Sequence, residues 1–172
     1  MTKKEVTEIF SVLMLAYPRA EMFQGGIAKL GPTISLWARC LDDVDYWTGL
    51  QATLRVCKEC VFPPTIAEFR KAVKEVTDEL NGKADGIFRA IRSGELLHGT
   101  LEDYYSSLTP GDEVKTVIDM MGGTQALVRK VTDGYAWNRE AILTTARLVI
   151  RNNTKTLGGG APALPGEKGN IE

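Results

Sequence analysis

Apolar residues recur at intervals of three and four positions over most of the first eighty residues. This spacing places them on one face of a helix. It predicts helices over residues 2–17, 33–41, 43–60 and 65–80, which pack as a compact N-terminal domain because the loops between them are short. The predicted inward-facing residues are Val6, Ile9, Phe10, Leu13, Tyr17, Ile34, Trp37, Leu41, Tyr46, Leu50, Leu54, Cys57, Ile66, Phe69, Val73, Val76 and Leu80.

The third and fourth helices are predicted to meet at a tight corner. Pro63 and Pro64 lack backbone N–H groups and have a fixed φ, so the third helix is expected to end near Cys60. Thr65 precedes Glu68 by three residues, which is the spacing of a helix-initiating capping box. The corner is therefore predicted from local chemistry alone, and it contains no catalytic group.

Two further helix starts in this domain have sequence signals. Thr2 and Glu5 repeat the capping-box spacing at the first helix. Asp42 or Asp43 is expected to cap the third helix, where an acidic side chain also favours the helix dipole. These signals, with the apolar spacing, predict the domain over residues 1–80.

Beyond Asn81-Gly82-Lys83, where the first domain is predicted to end, the pattern is helical but less regular. No segment of useful length alternates with the period of a strand, so an all-α fold is predicted, with a second helical subdomain at 83–152. The expected helices are Ala84–Ser93 ending at Gly94, Thr100–Leu108, one that starts at Thr109-Pro110 and stops at Gly122-Gly123, Thr124–Thr132, and a last one capped by Asn138 with Ile142, Thr145, Leu148 and Val149 inward.

The composition changes near Asn152 to glycine, proline, alanine and scattered charge. Such a segment buries too little apolar surface to fold alone, so residues 153–172 are predicted to form a flexible tail. No apolar run approaches the length of a membrane span, and charged residues interrupt the N-terminus at once. A cytoplasmic protein is expected.

The formal net charge of the 172 residues is −1, with acidic and basic residues interleaved. This balance does not predict strong binding to nucleic-acid phosphates, although a basic face assembled only in three dimensions stays possible. The protein is therefore expected to contact DNA only indirectly or weakly.

Residues suited to catalysis or metal binding are few. Cys57 and Cys60 have CxxC spacing, but they end a predicted helix and lack further zinc ligands, so they and Cys40 are expected to be reduced and largely buried. The single histidine, His98, is placed in a loop and has no nucleophile at a fixed spacing. Glu102 and Asp103 likewise lack a partner group. With no phosphate-binding loop or catalytic motif, the expectation is a non-enzyme without cofactor or metal.

Three segments of the first eighty residues occur in an order typical of one family. The opening Met1–Val6 leads into a helix that ends in Ala16-Tyr17-Pro18; WARCLDDVDY follows at 37–46, and VFPPTIAEFRKAV at 61–73. Together they resemble the small phage proteins that load and inhibit the replicative DNA helicase. In that family the C-terminal part contacts the helicase. This part is largely disordered when free in the type member, whereas residues 84–152 here are predicted to fold.

The resemblance implies a non-enzymatic accessory protein of phage or prophage replication. Its partners would be the hexameric replicative helicase, which it inhibits and helps to load, and an origin-binding replication protein. The segment expected to bind the partner is the last helix with Arg147 and Arg151, the tail with Leu157, Leu164 and Ile171, or both. For the two arginines, a solvated helix end stabilised by the helix dipole is the alternative.

A direct DNA-binding protein is the second hypothesis. The corner at Pro63-Pro64 resembles a helix-turn-helix, and Arg70, Lys71 and Lys74 would face the phosphates. The acidic residues of the same helix, Glu68, Glu75, Asp78 and Glu79, oppose this hypothesis because they would repel the DNA backbone.

Overall fold

The computed structural model describes residues 1–131 and 134–157. The chain divides into two compact units, Met1–Glu79 and Leu80–Glu172. The helices are α1 Lys3–Ala16, α2 Gly31–Cys40, α3 Tyr46–Glu59, α4 Ile66–His98, α5 Leu101–Ser107, α6 Glu113–Met121 and α7 Arg139–Leu157. Short 3-10 turns lie at Glu21–Phe23, Ile27–Leu30 and Thr124–Leu127, and an antiparallel hairpin joins β1 Val128–Val131 to β2 Gly134–Trp137. The predicted all-α class is confirmed, with this hairpin as an addition.

The core of the first unit is built around three aromatic rings. Phe10 of α1 and Trp37 of α2 meet edge to face with ring centroids 5.0 Å apart, and Trp37 meets Phe69 of α4 at 5.3 Å. Phe69 is fully buried, Val76 is buried, and Ile66 and Val73 pack against the same cluster half-buried. The predicted inward face of the fourth helix is therefore confirmed over these positions.

The face that α3 buries differs from the prediction. Leu54, expected inward, is 43% exposed. The buried residues of α3 are Thr48, Gly49, Ala52, Thr53 and Val56. The absence of a side chain at Gly49 leaves room for the side chain of Met1, because a Cβ there would lie 2.5 Å from the Met1 sulfur. The buried hydroxyl of Thr53 donates to the Gly49 carbonyl at 2.8 Å, so a polar residue lies inside without a lost hydrogen bond.

The cap of α3 also differs from the prediction. Asp45, rather than Asp42 or Asp43, is the N-cap, and its carboxylate accepts from the Thr48 backbone N–H at 3.2 Å and from the Thr48 hydroxyl at 2.7 Å. Asp43 instead pairs with Arg70 of α4. The capping boxes at Thr2 and Thr65 are confirmed by reciprocal hydrogen bonds with Glu5 and Glu68.

The predicted helix end at Asn81-Gly82 is wrong, because α4 continues from Ile66 to His98. A glycine inside a helix costs only about 1 kcal/mol, which tertiary burial of nearby residues offsets. Leu80, Ala84, Ile87, Phe88 and Ile91 are all buried. Gly94 does not end the helix either; Gly99, with φ +85°, follows its last residue in the left-handed conformation. The predicted division into 1–80, 83–152 and 153–172 stays a prediction.

Gly82 and Gly94 both lie inside α4 but differ in the space around them, so the stabilities of their alanine variants can be compared. A Cβ at Gly82 meets no atom within 4 Å, whereas one at Gly94 would collide with the ring of Tyr104. We expect Gly82→Ala to raise the free energy of unfolding by about 0.5–1 kcal/mol. Gly94→Ala should lower it by about 1–3 kcal/mol because the ring is displaced. Urea denaturation followed by circular dichroism measures both, and stabilisation by Gly94→Ala would contradict the packing of Tyr104.

The second unit confirms some helix ends and corrects others. Thr100 caps α5 as predicted, and Gly122 ends α6 in the left-handed conformation. The predicted start at Thr109-Pro110 is wrong: Asp112 is the N-cap of α6 and accepts from the Val114 N–H at 2.7 Å. The buried core residues contributed by α6, α7 and the turn before the hairpin are Val117, Ile118, Leu127, Ile142, Leu143, Ala146, Val149 and Ile150.

Three further predictions for this unit are corrected. The helix expected over Thr124–Thr132 is a 3-10 turn followed by β1, in which β-branched Val128 and Val131 suit a strand. Leu148, expected inward, is 47% exposed. Helix α7 extends to Leu157, so residues 153–157 of the predicted tail are helical. The rest of that predicted tail, residues 158–172, lies outside the described residues. Within the described part of the chain, no helix is long and apolar enough to cross a membrane.

Candidate functional site

The corner between α3 and α4 exposes two large apolar side chains next to each other. Val61 is 84% exposed and Phe62 is 78% exposed, the two highest values among the large apolar residues described in the first unit. Adjacent exposed apolar residues at such values are unlike the scattered single ones of an ordinary surface. The pair Val61 and Phe62 is called the corner pair below.

The α3 side of the corner is fixed by a buried tyrosine. The hydroxyl of Tyr17 donates toward the carbonyls of Val56 at 2.9 Å and Cys60 at 3.1 Å, which lie at the C-terminal end of α3. Burial raises the pKa of Tyr17, with a smaller contribution from the thiols of Cys57 and Cys60, so the hydroxyl keeps the proton that it donates. This contact holds the last turn of α3 against the end of α1.

The α4 side of the corner is fixed by the capping box. The Thr65 N–H donates to the Glu68 carboxylate at 2.7 Å, and the Glu68 N–H donates to the Thr65 hydroxyl at 3.3 Å. Hydrogen bonds from the Thr65 backbone and, to a lesser degree, from its hydroxyl hold the pKa of Glu68 below its usual value. Pro63 and Pro64 fix φ between the two anchors, and Pro64 is buried. The corner pair is thus presented on a backbone with little freedom.

The cations that the DNA-binding hypothesis requires are paired with carboxylates. Both terminal nitrogens of Arg70 donate to the two oxygens of Asp43, at 2.9 and 2.8 Å. Lys74 lies 2.6 Å from Asp78, and Lys71 lies 3.9 Å from an oxygen of Glu75. These pairs reduce the positive potential that this face of α4 would offer to phosphates.

The candidate catalytic residues other than His98 are the three cysteines and the acidic pair Glu102 and Asp103. Cys40, Cys57 and Cys60 are free thiols and half-buried, less buried than predicted. Burial raises the pKa of Cys57, which disfavours the nucleophilic thiolate. Glu102 accepts a hydrogen bond from the Thr124 hydroxyl at 2.9 Å, and Asp103 accepts one from the cap residue of α5. No cluster that could hold a metal ion occurs among the described residues.

His98 is not in a loop as predicted. It is the last residue of α4 and is exposed, with its ring 5.5 Å from that of Tyr104. This neighbour is an aromatic ring on α5 rather than a thiol or a serine hydroxyl that an imidazole could activate. His98 is therefore an exposed side chain at the end of α4 that contacts an aromatic neighbour.

The residues predicted to bind a partner lie on or beyond α7. The Nε of Arg147 donates to the Asn81 side chain at 3.0 Å, and its Nη1 lies 3.7 Å from Glu140, so this arginine is integrated into the second unit. Arg151 lies one turn further along and is half-buried. Leu157 is the last described residue of the helix. Leu164 and Ile171 lie outside the described residues, and the partner-binding role of all five stays a prediction.

The exposure of the corner pair is not predicted by the sequence pattern. Both residues belong to the predicted corner, but large apolar residues are assigned to a core unless something opposes it. The available signal is their position: they follow the end of one helical face and precede two prolines, so neither helix pattern includes them.

The first unit is similar to a known class of phage replication proteins, the helicase loaders and inhibitors. The matching family model describes the N-terminal domain of a phage helicase loader/inhibitor, and it covers residues 1–70. The resemblance inferred from the three ordered segments is therefore confirmed over most of the first unit, including the corner pair. No curated protein and no solved structure gives a significant match to the chain.

Proposed function

We propose that this protein binds a hexameric replicative DNA helicase in a phage or prophage replication system, inhibits it, and helps to load it at an origin. The match of residues 1–70 to the N-terminal domain of the loader/inhibitor family supports this proposal. An origin-binding replication protein would be the second partner and would release the helicase at its site. The protein would act in the cytoplasm of the bacterial host.

A protein without catalytic activity of its own can inhibit an ATP-driven hexamer by binding one of its conformations more tightly than the others. The shift in population is set by the difference in binding free energy between the conformations. Release requires only that a second partner competes for the same state. The helicase supplies the chemistry in this scheme, and the present protein supplies affinity.

The family resemblance implies a helicase contact in the C-terminal part, and we propose the corner pair as an additional contact from the first unit. Aromatic residues that enter a pocket on the partner supply much of the energy at protein interfaces. The Tyr17 hydrogen bonds and the capping box hold the backbone on either side of Phe62, so little conformational entropy is lost on binding. We place Phe62 in an apolar pocket of the helicase, with Val61 beside it.

A second contact through α7 and the residues beyond it completes the proposal. Arg147 and Arg151 share one face of α7 at a spacing of four residues. Leu157, Leu164 and Ile171 follow them along the chain. The composition beyond α7 predicts a flexible segment, and ordering of a flexible segment on the helicase would lower affinity per unit of buried area and so favour release at the origin.

The test is a titration of the protein against the cognate helicase, with ATPase activity and strand separation measured in parallel. We expect a defined stoichiometry on the hexamer, tighter binding when nucleotide is present, and a loss of both activities that an origin-bound partner reverses. Fluorescent origin DNA is titrated alongside. Tight, sequence-specific binding to that DNA without any helicase association would contradict the proposal and support the DNA-binding alternative.

A further inference from the structure

The second unit contains a cluster of arginine and aromatic side chains that the helicase contact does not use. It lies where the first turns of α7 and strand β2 meet the C-terminal half of α4. Phe88 and Trp137 meet edge to face, with centroids 6.0 Å apart and ring planes at 87°. The guanidinium carbon of Arg92 lies 6.0 Å from the centre of the Trp137 ring, and that of Arg139 lies 5.5 Å from the centre of the Phe88 ring.

The charges of this cluster do not cancel. Arg139 pairs with Asp85 at 2.7 Å. Arg89 and Arg92 are exposed, and no described carboxylate lies within 4 Å of either guanidinium. Asp85, Arg89 and Arg92 follow one another at helical spacings of four and three residues, so they share a face of α4. Two uncompensated positive charges therefore remain beside a half-buried indole.

The strand next to Trp137 in the hairpin also contains two cationic residues in its sequence. In the register of the two strands, Val128 pairs with Trp137, Arg129 with Ala136 and Lys130 with Tyr135. Two more cationic residues thus stand one and two rungs from Trp137. In contrast, the segment from α5 to α6 carries Glu102, Asp103, Asp112, Glu113 and Asp119 against Lys115 alone. In a chain that is nearly neutral overall, Arg89 and Arg92 are thus two cations of α4 without a described carboxylate within 4 Å.

We propose that this cluster binds single-stranded DNA, with Arg89 and Arg92 on its phosphates and one base stacked on Trp137. Guanidinium groups form forked hydrogen bonds with phosphate oxygens. An indole offers a face on which any unpaired base can stack, and bases are accessible in this way only in single strands. The indole favours a nucleic acid over an acidic peptide, whose carboxylates would use the arginines but not the ring. The site does not depend on helicase binding.

The test uses the full chain and a fluorescein-labelled oligo(dT), with anisotropy measured at about 0.05 M and 0.2 M salt. The test variant is Arg89→Gln/Arg92→Gln. The control is Lys71→Gln/Lys74→Gln, which removes the same charge from the first unit. All four residues are exposed, so thermal unfolding should stay close to that of the wild type.

We expect binding by the wild type that weakens as salt rises, and at least about fivefold weaker binding by the Arg89→Gln/Arg92→Gln protein with a salt slope smaller by about 1.4, since each phosphate contact contributes about 0.7 on a single strand. The lysine control should stay within about twofold of the wild type, and a duplex of the same length should bind more weakly than the single strand. Absence of oligo(dT) binding at low salt, or equal losses in the two double variants, would overturn the proposal. Poly-glutamate that binds as tightly as oligo(dT) and is lost with the same two arginines would also overturn it, since the cluster would then fit an acidic protein segment.

Discussion

Replacing Phe69 with alanine should lower the free energy of unfolding by about 3–5 kcal/mol. The ring is fully buried and meets Trp37 edge to face at 5.3 Å, so its loss removes apolar burial and leaves a cavity between α2 and α4. Native stability is usually only about 5–15 kcal/mol, so a large share would disappear. Urea denaturation followed by circular dichroism measures the change as a lower midpoint at an unchanged slope.

Leu54→Ala is the matched control for Phe69→Ala. The sequence pattern placed both side chains in the core, but Leu54 is 43% exposed. Its truncation should cost less than about 1 kcal/mol. Similar losses in the two variants would mean that α3 buries the face read from the sequence rather than the face with Gly49 and Ala52. A loss below about 1 kcal/mol in Phe69→Ala would contradict the aromatic core itself.

Replacing Phe62 with alanine should weaken helicase binding by about 2–4 kcal/mol, or roughly 30- to 1000-fold in Kd. The folded protein should be almost unaffected, within about 0.5 kcal/mol, because the ring is 78% exposed in the free chain. Titration calorimetry against the cognate helicase in the presence of nucleotide measures the affinity. Inhibition of the ATPase should require correspondingly more protein.

Leu36→Ala is the control for Phe62→Ala, since Leu36 is also an exposed large apolar residue of the first unit, at 54%, but lies on α2. Its affinity for the helicase should match the wild type. A Phe62→Ala protein that binds like the wild type would remove the corner pair from the contact without affecting the helicase proposal. Arg147→Gln/Arg151→Gln would then test the α7 contact by the same titration.

Several features of the fold that depend on neighbours in sequence were predicted correctly, although the helix start at Thr109-Pro110 and the helix end at Gly94 were not. The caps at Thr2, Thr65 and Thr100 and the stop at Gly122 follow from hydrogen bonds or backbone angles within a few residues. The corner at Pro63 follows from proline geometry in the same way. None of these depends on where the rest of the chain goes, so local sequence is sufficient to predict them.

Features that depend on distant residues were not predicted. Asp43 is a reasonable cap by its position in the sequence. Its carboxylate instead accepts hydrogen bonds from Arg70 of α4, and Asp45 caps α3. The buried face of α3 is formed by small and polar residues such as Gly49, Ala52 and Thr53, which a pattern of large apolar residues does not record. Continuation of α4 past Gly82 is decided by burial of both flanking segments, which exceeds the small intrinsic cost of the glycine.

The same distinction applies to the candidate sites. The corner pair was visible in the sequence as part of a turn, but its exposure is a tertiary property. The arginine–aromatic cluster joins α4 to residues much later in the chain, next to strands of four residues that are too short for a reliable period-two signal. The sequence left a basic face open as a possibility, and the fold brings Arg92 and Arg139 against Trp137 and Phe88.

The placement of the tryptophans gives each unit its own spectroscopic reporter. Trp37 and Trp47 lie in the first unit and Trp137 in the second, and Trp37 and Trp137 have different aromatic neighbours. Emission from a Trp137→Phe protein would therefore follow the first unit alone, and emission from a Trp37→Phe/Trp47→Phe protein the second alone. Within each protein, emission and circular dichroism transitions that coincide would identify one cooperative transition, and separate ones would identify two. These measurements report how strongly the unfolding of one unit is coupled to that of the other, which the continuous helix α4 joins.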